Sequence, residues 1–315
     1  MYLKVKVSKY LITGASGFVG SHLVRSIPDE QLKLIVRREL ATKNCEQYIH
    51  SMTGADDYSQ ALYETDVVIH CAAIAHVMKK GVVTANDYNK VNVDVTLNLA
   101  RQAAKAGVKR FVFLSSIKVN GEFTDDTPFT PDDNPNPSDD YAKSKLEAEL
   151  KLMDLANESD MDVVIIRPPL IYGSGVKGNF RSLVNLAKKG LPFPLKIDHN
   201  KRSLVSINNL VDFILLCSKH DLAPGNVFLI SDDRDISTTE LYQLIQKSLS
   251  KPIHNFYFPK VLFEILVKVF RKKELLQRLY GSLQVDITKS KTLLDWKPVE
   301  SIEQGIRQSL KVSGD

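Results

Sequence analysis

The chain has 315 residues, 43% hydrophobic and 25% charged, so it carries enough apolar material for a full core and disorder is excluded as its main state. The net charge is +5, and residues 251–280, with seven basic and two acidic side chains, carry all of that excess; the basic stripe of a nucleic-acid-binding face is therefore missing. Cys45, Cys71 and Cys217 are scattered and odd in number, which argues against a disulfide framework or zinc ribbon and for a reducing compartment. With no signal segment and no spanning apolar run in view, a cytoplasmic location is expected.

The first half alternates strands and helices. Residues 10–12 read as a short buried strand, 14–20 as a turn and 18–27 as a helix. Strands follow at 32–36 and 66–70, then a long helix over about 85–106. In that helix Tyr88, Val91, Val95, Leu99 and Ala103 share one face. A strand at 110–114, a helix at 141–156 and a strand at 162–166 complete the series. Strands separated by helices of this length imply right-handed crossovers and an α/β fold, a Rossmann-type doubly wound parallel sheet. Beyond Arg167-Pro168-Pro169 the alternation becomes irregular. The expected division is a dinucleotide-binding domain at 1–167, with parts of 204–231, and a smaller interleaved substrate domain at 168–315.

Residues 13–20 read Thr-Gly-Ala-Ser-Gly-Phe-Val-Gly, a GxxGxxG turn between strand and helix. Gly14 and Gly17 permit a tight turn and close approach to a pyrophosphate, and Gly20 permits packing of the helix against the sheet. The first-turn amides and the helix dipole then face the phosphates. The second strand ends in Arg37-Arg38, where an acid that holds the adenosine ribose is usual. Two guanidiniums suit a 2′-phosphate, so NADP(H) is favoured, with NAD(H) the alternative; the bland reading is a solvated arginine pair.

Tyr141 and Lys145 lie one helical turn apart on one face, with Ser138 or Asp139 as the cap. A neighbouring ammonium is expected to lower the phenol's pKa and fit it for proton transfer. Ser115 and Ser116 end the strand at 110–114, at the sheet edge where ligands bind in such folds. His70 and His76 read as groove or core residues rather than metal ligands, and no metal site is expected.

TGASGFVG, DVVIHCAA, the stretch from Asn92 to Ser116, YAKSK and RPPLIYG occur in an order that resembles the extended short-chain dehydrogenase/reductases of the nucleotide-sugar epimerase/dehydratase family. The likeness covers nearly the whole chain. SSIKVNGE and GVKGNF narrow it to a bacterial branch similar to UDP-glucose 4-epimerases, which includes 4-keto-reductases of N-acetylated 6-deoxyhexoses. The resemblance implies that Ser116, 25 residues before Tyr141, is the catalytic serine, with Ser115 its neighbouring candidate. Tyr141 is then the acid/base, and Lys145 holds the nicotinamide ribose and tunes Tyr141. Gly14, Ser16, Gly17, Phe18, Val19 and Gly20 line the cofactor with Arg37, Arg38, Cys71, Ala72, Ala73 and Pro168, while Asn92 braces the site from the long helix.

The resemblance also places Asn179 and Phe180 against a nucleotide, and Arg202, with Arg278 as a second candidate, against its diphosphate. The acid expected after the third strand has no match, since Ser51 or Met52 falls there. Leu170 stands where an asparagine is frequent, and Ile117-Lys118 stands where 4,6-dehydratases carry Asp-Glu. The expected function is hydride transfer at C4 of a UDP-sugar by a homodimer, as 4-epimerase or 4-keto-reductase. The rival is a non-catalytic dinucleotide sensor on the same fold. Residues 260–280 read as a basic amphipathic segment, either a solvated helix face or a contact with anionic lipid; neither a membrane-spanning segment nor a nucleic-acid partner is expected.

Overall fold

The computed structural model describes residues 8–41, 43–74, 83–191, 197–252 and 280–311. Its strands are β1 (Tyr10–Thr13), β2 (Leu32–Val36), β3 (Glu46–Ile49), β4 (Val67–His70), β5 (Arg110–Leu114), β6 (Asp162–Arg167), β7 (Leu170–Tyr172), β8 (Leu204–Ser206) and β9 (Val227–Leu229). Seven of them form one sheet in the order β3-β2-β1-β4-β5-β6-β9, every pair parallel.

Alternation along the strands explains why both faces of this sheet are covered. Ile12, Val112, Val164 and Ile166 point into one core, while Leu11, Phe111, Phe113, Val163 and Ile165 point into the other. The first core packs under α1 (Phe18–Ser26) and α7 (Ile207–Cys217). The second packs under α2 (Ser59–Leu62), α4 (Val95–Lys105) and α5 (Asp140–Asn157). The order reverses at β1, which lies between β2 and β4, so the crevice outside the carboxyl ends of β1 and β4 is the switch point.

The long helix read from the sequence is broken. A short α3 (Ala85–Tyr88), opened by a Thr84–Asp87 capping box, runs into a π-helical stretch at Asn89–Asp94 before α4 begins. Such stretches often mark functional sites, and this one carries Asn92.

Pro168 and Pro169 follow β6 and lack backbone donors, so the main ladder stops there. The chain then enters β7, which pairs only with β8. Tyr172, Phe180, Ile197, Leu204, Ile236, Tyr242 and Ile306 form a third core, contributed in part by α6 (Asn179–Lys188), α8 (Thr238–Ser248) and α10 (Ile302–Lys311); α9 (Thr288–Leu294) packs on β9. Among the described residues no helix is long and apolar enough to cross a membrane; residues 260–279, in the basic segment, lie outside them.

Candidate active site

Gly14 sits at φ +74°, and a Cβ on it would lie 2.7 Å from the Ala72 nitrogen and 2.8 Å from the Cys71 carbonyl carbon. Only glycine lets the turn after β1 lie against the backbone leaving β4. A Cβ on Gly20 would lie 2.1 Å from the Gly14 oxygen. Gly17 caps α1 with no side-chain hydrogen bond, so the first-turn amides are not taken up by a capping side chain. Phe18 and Val19 turn into the core and Ser16 stays exposed. Arg37 and Arg38, both exposed, line an open cleft with Ser16 and Val36. The loop after β3 holds a carboxylate, Asp56, but it accepts from the Thr53 nitrogen at 2.8 Å, the Thr53 hydroxyl at 2.9 Å and the Ser51 hydroxyl at 3.3 Å. This bare, donor-rich cradle at the switch point fits a dinucleotide pyrophosphate.

The carboxyl end of β5 separates the two serines. Ser115 is buried and donates to Glu149 on α5; Ser116 is half-buried and lies near enough to Tyr141 for its hydroxyl to favour the phenolate. Ser116 is therefore the serine beside the tyrosine, and Ser115 belongs to the scaffold. Asp139, rather than Ser138, caps α5 by accepting from the Ala142 nitrogen at 2.8 Å. Lys145 is buried, donates to the Leu114 carbonyl at 2.9 Å and stands 4.4 Å from the centre of the Phe113 ring.

The expected lowering of the tyrosine's pKa is not what the structure gives. Burial pushes the Tyr141 hydroxyl up to about 12, with the Ser116 hydroxyl pulling down and Asp139 and Tyr88 pushing further up. Burial also lowers the Lys145 ammonium to about 8, against opposing pulls from Cys71 and Glu149. Desolvation of the phenolate is the largest influence on it.

Two buried networks hold this geometry, and the motif reading gave the pairings of neither. In the first, Arg167 donates from Nε to both Glu149 oxygens at 3.0 and 3.1 Å, from Nη2 to Glu149 at 2.5 Å and from Nη1 to Asn120 at 2.9 Å. Glu149 follows Lys145 by one turn on the same face, a spacing legible in sequence; its arginine partner on β6 is not. In the second, the Ala72 nitrogen donates to Thr13 Oγ1, which lies 2.8 Å from His70 Nδ1; His70 Nε2 lies 2.9 Å from Thr96 Oγ1, which donates to the Asn92 carbonyl. Thr96 spends its one proton on that carbonyl, so His70 donates from Nε2 and accepts from Thr13 at Nδ1. Burial, with Lys145 nearby, drives the His70 pKa down to about 3 and keeps the ring neutral. Asn92 then donates to Ser144 Oγ at 3.0 Å, and Ser144 donates to the Tyr141 carbonyl at 2.8 Å. Asn92 also pairs with both backbone groups of Ile74. A directed chain of hydrogen bonds thus runs from the end of β4 to the start of α5.

Cys71, Ala72 and Ala73 leave β4 half-buried beside the turn, and the buried Pro168 accepts from the Ile117 nitrogen at 3.0 Å. Asn179 is exposed at the start of α6, whereas the Phe180 ring stacks on Tyr172 at 5.4 Å inside the third core. Arg202 donates to the Gly281 carbonyl at 2.9 Å. Leu170 is 38% exposed. Arg278 and His76 lie outside the described residues.

Residues 10–231 match the NAD dependent epimerase/dehydratase family, and the chain belongs to it; a nicotinamide dinucleotide is its cofactor. A UDP-glucose 4-epimerase of Vibrio cholerae is 45% identical over 95% of this chain and 93% of its own. Solved structures share the fold: a UDP-glucose 4-epimerase from Thermotoga maritima with UDP-glucose (TM-score 0.78, 23% identity, 97% and 98% of the two chains) and a UDP-glucuronic acid 4-epimerase from Bacillus cereus with NAD (0.77, 20%, 96% and 98%).

Proposed function

We propose that this chain is an oxidoreductase acting at C4 of a UDP-hexose, as a 4-epimerase. The observation that carries the reading is Ser116 beside Tyr141 at the carboxyl end of β5, with Lys145 one turn on and the glycine cradle at the switch point. The name of the Vibrio cholerae relative supports the substrate class. When bound, the nicotinamide supplies the hydride acceptor and donor for C4 and, oxidised, a positive charge that favours the tyrosinate. Tyr141 Oη takes the proton from the C4 hydroxyl and returns it to the oxygen of the keto sugar. Ser116 Oγ orients that oxygen by sharing its hydrogen bond. Lys145 holds the nicotinamide ribose and its ammonium backs Tyr141.

In this reading residues 1–167, with parts of 204–231, carry the cofactor, and 168–315 the sugar nucleotide. Gly14, Ser16 and Gly17 to Gly20 receive the pyrophosphate through backbone amides, Cys71 to Ala73 and Pro168 wall the groove, and Asn92 braces it. Arg202, assisted by Arg278, pairs with the diphosphate. Asn179 meets the nucleotide, and Phe180 contributes its backbone, because its ring is committed to the core. The working form is a cytoplasmic homodimer.

A second reading, a 4-keto-reductase using NADPH, is favoured by one feature. Arg37 and Arg38 reach the cleft beside Ser16 before the first carboxylate, Glu39. A charge-assisted hydrogen bond to a 2′-phosphate contributes about 1.5–3 kcal/mol, or roughly ten- to a hundred-fold in affinity, and exposure puts the expectation at the lower end. The test is a panel of UDP-hexoses and a UDP-4-keto-6-deoxyhexose, followed by nicotinamide absorbance and product stereochemistry. It is joined by calorimetric titration of NAD and NADP into the parent, Arg37→Ala and Arg38→Ala. C4 inversion without net absorbance change is expected for the epimerase. Stoichiometric NADPH oxidation, with a preference lost in an arginine variant, establishes the reductase, and no conversion of any UDP-sugar overturns both.

A further inference from the structure

Ser116 begins a short 3₁₀ turn, Ile117–Val119, by accepting from the Lys118 nitrogen at 3.3 Å. The Lys118 side chain leaves this turn toward the start of the catalytic helix. Its ammonium donates to Asp139 Oδ2 at 2.5 Å and to Glu122 Oε1 at 3.2 Å. Asp139 Oδ1 is the cap of α5, two residues before Tyr141. One cation therefore joins the turn that presents Ser116 to the helix end that presents Tyr141. The pair is a quarter exposed, 24% for Lys118 and 26% for Asp139, so its worth to folding is small. A carboxylate suits a helix N-terminus, but an unneutralised one two residues from a proton-transferring phenol opposes ionisation of that phenol.

We propose that Lys118 is a positioning residue of the reaction: through Asp139 it sets the electrostatic environment of Tyr141 and fixes the Ser116 turn to the start of α5. This inference rests on the function proposed above. The groups facing Tyr141 are Ser116 from the end of β5, Tyr88 from α3 with ring centres 6.1 Å apart, Asp139 from the cap and Lys145 one turn on. Lys118 and Glu122 act from the 3₁₀ turn and the loop after it. Asp139 is a carboxylate facing Tyr141 and pushes its titration upward, and Lys118 is a cation that offsets it among the described residues.

Removing the cation therefore moves the Tyr141 titration up, and removing the carboxylate moves it down. The expected size is about half a pH unit, the scale of one partly screened charge. The experiment follows the tyrosine ¹³Cζ shift of the cofactor-loaded protein against pH, with the Tyr141 resonance assigned by its loss in Tyr141→Phe, alongside the pH profile of turnover. Lys118→Met is expected to shift both curves to higher pH and Lys118→Arg to leave them in place. Asp139→Asn, which keeps the cap, is expected to shift them to lower pH, and Lys118→Met with Asp139→Asn to lie between the single variants. A purely structural role would not be relieved by the second substitution. Titrations that coincide in the parent, Lys118→Met and Asp139→Asn overturn the inference, as does a Lys118→Met shift that Asp139→Asn fails to reverse. If Lys118→Met does not fold, the downward shift in Asp139→Asn decides alone. Absence of turnover on every UDP-sugar, with the resonance shifts as expected, counts against the proposed function and not against the tuning of Tyr141.

Discussion

Glu149→Gln removes one charge and little volume from the support behind Lys145. Glu149 is 2% exposed and Arg167 4%. The guanidinium spends Nε and Nη2 on this carboxylate, which also takes the Ser115 hydroxyl. Neutralising it strands a buried guanidinium with one carbonyl-type acceptor in place of a bidentate anion. Breaking such a pair from one side costs about 3–5 kcal/mol, a large part of the roughly 5–15 kcal/mol that holds a folded protein. The same anion opposes the burial that lowers the Lys145 ammonium to about 8. Its loss moves that titration further down, toward working pH, so cofactor affinity is expected to weaken as pH rises at values where the parent is still flat. The assay is urea unfolding of the parent, Glu149→Gln, Arg167→Met and the double variant. The double variant is expected to lose clearly less than the two single losses combined, because it leaves no unpaired charge. A Glu149→Gln loss below about 1 kcal/mol, or strictly additive losses, would refute the reasoning.

Tyr141→Phe keeps the ring and loses the proton carrier, so turnover is expected to fall roughly a hundred- to ten-thousand-fold while cofactor still binds; near-normal turnover sinks the mechanism. Gly20→Ala drives a methyl to within 2.1 Å of a backbone oxygen and is expected to cost about 1–3 kcal/mol with a measurable loss of cofactor affinity by calorimetry; unchanged melting and affinity contradict the cradle. His70 titrates near 3 when folded against 6.5 when unfolded, so below pH 6.5 the unfolded chain binds the extra proton and stability falls by up to about 1.4 kcal/mol per pH unit. In His70→Gln that acid sensitivity is expected to flatten, and identical acid melting curves for the two proteins exclude the assignment.

Much of the fold was legible because its strands are short, buried and bounded by turns. The expectations for 32–36 and 110–114 coincide with β2 and β5, and those at 10–12, 66–70 and 162–166 differ from β1, β4 and β6 by one residue at one end. β3 entered only through the resemblance, because Glu46, Gln47 and Tyr48 make an edge strand with little apolar signal. The π stretch escaped because periodicity reads helix without reading its pitch. Val227–Leu229 joins the main sheet at its far edge, where only long-range pairing with β6 identifies it. At the site, the spacing of Tyr141 and Lys145 announced itself, but the direction of the tyrosine's titration did not, since it depends on how deeply the phenol is buried. The partnerships of Glu149 with Arg167 and of His70 with Thr13 and Thr96 join residues 18 to 57 positions apart, and no local pattern encodes them.

The chain of hydrogen bonds from Ala72 through His70 to Tyr141 has a polarity: each hydroxyl in it has one proton, already committed. Exchanging one member for an apolar residue leaves buried neighbours without partners on both sides, so a single substitution here costs more than the bond it removes. Arg37 and Arg38 stand outside that interlock, exposed at the end of β2. On the proposed function, cofactor preference and proton transfer are therefore physically separable in this scaffold: a single substitution at the exposed arginines leaves the buried chain of hydrogen bonds intact.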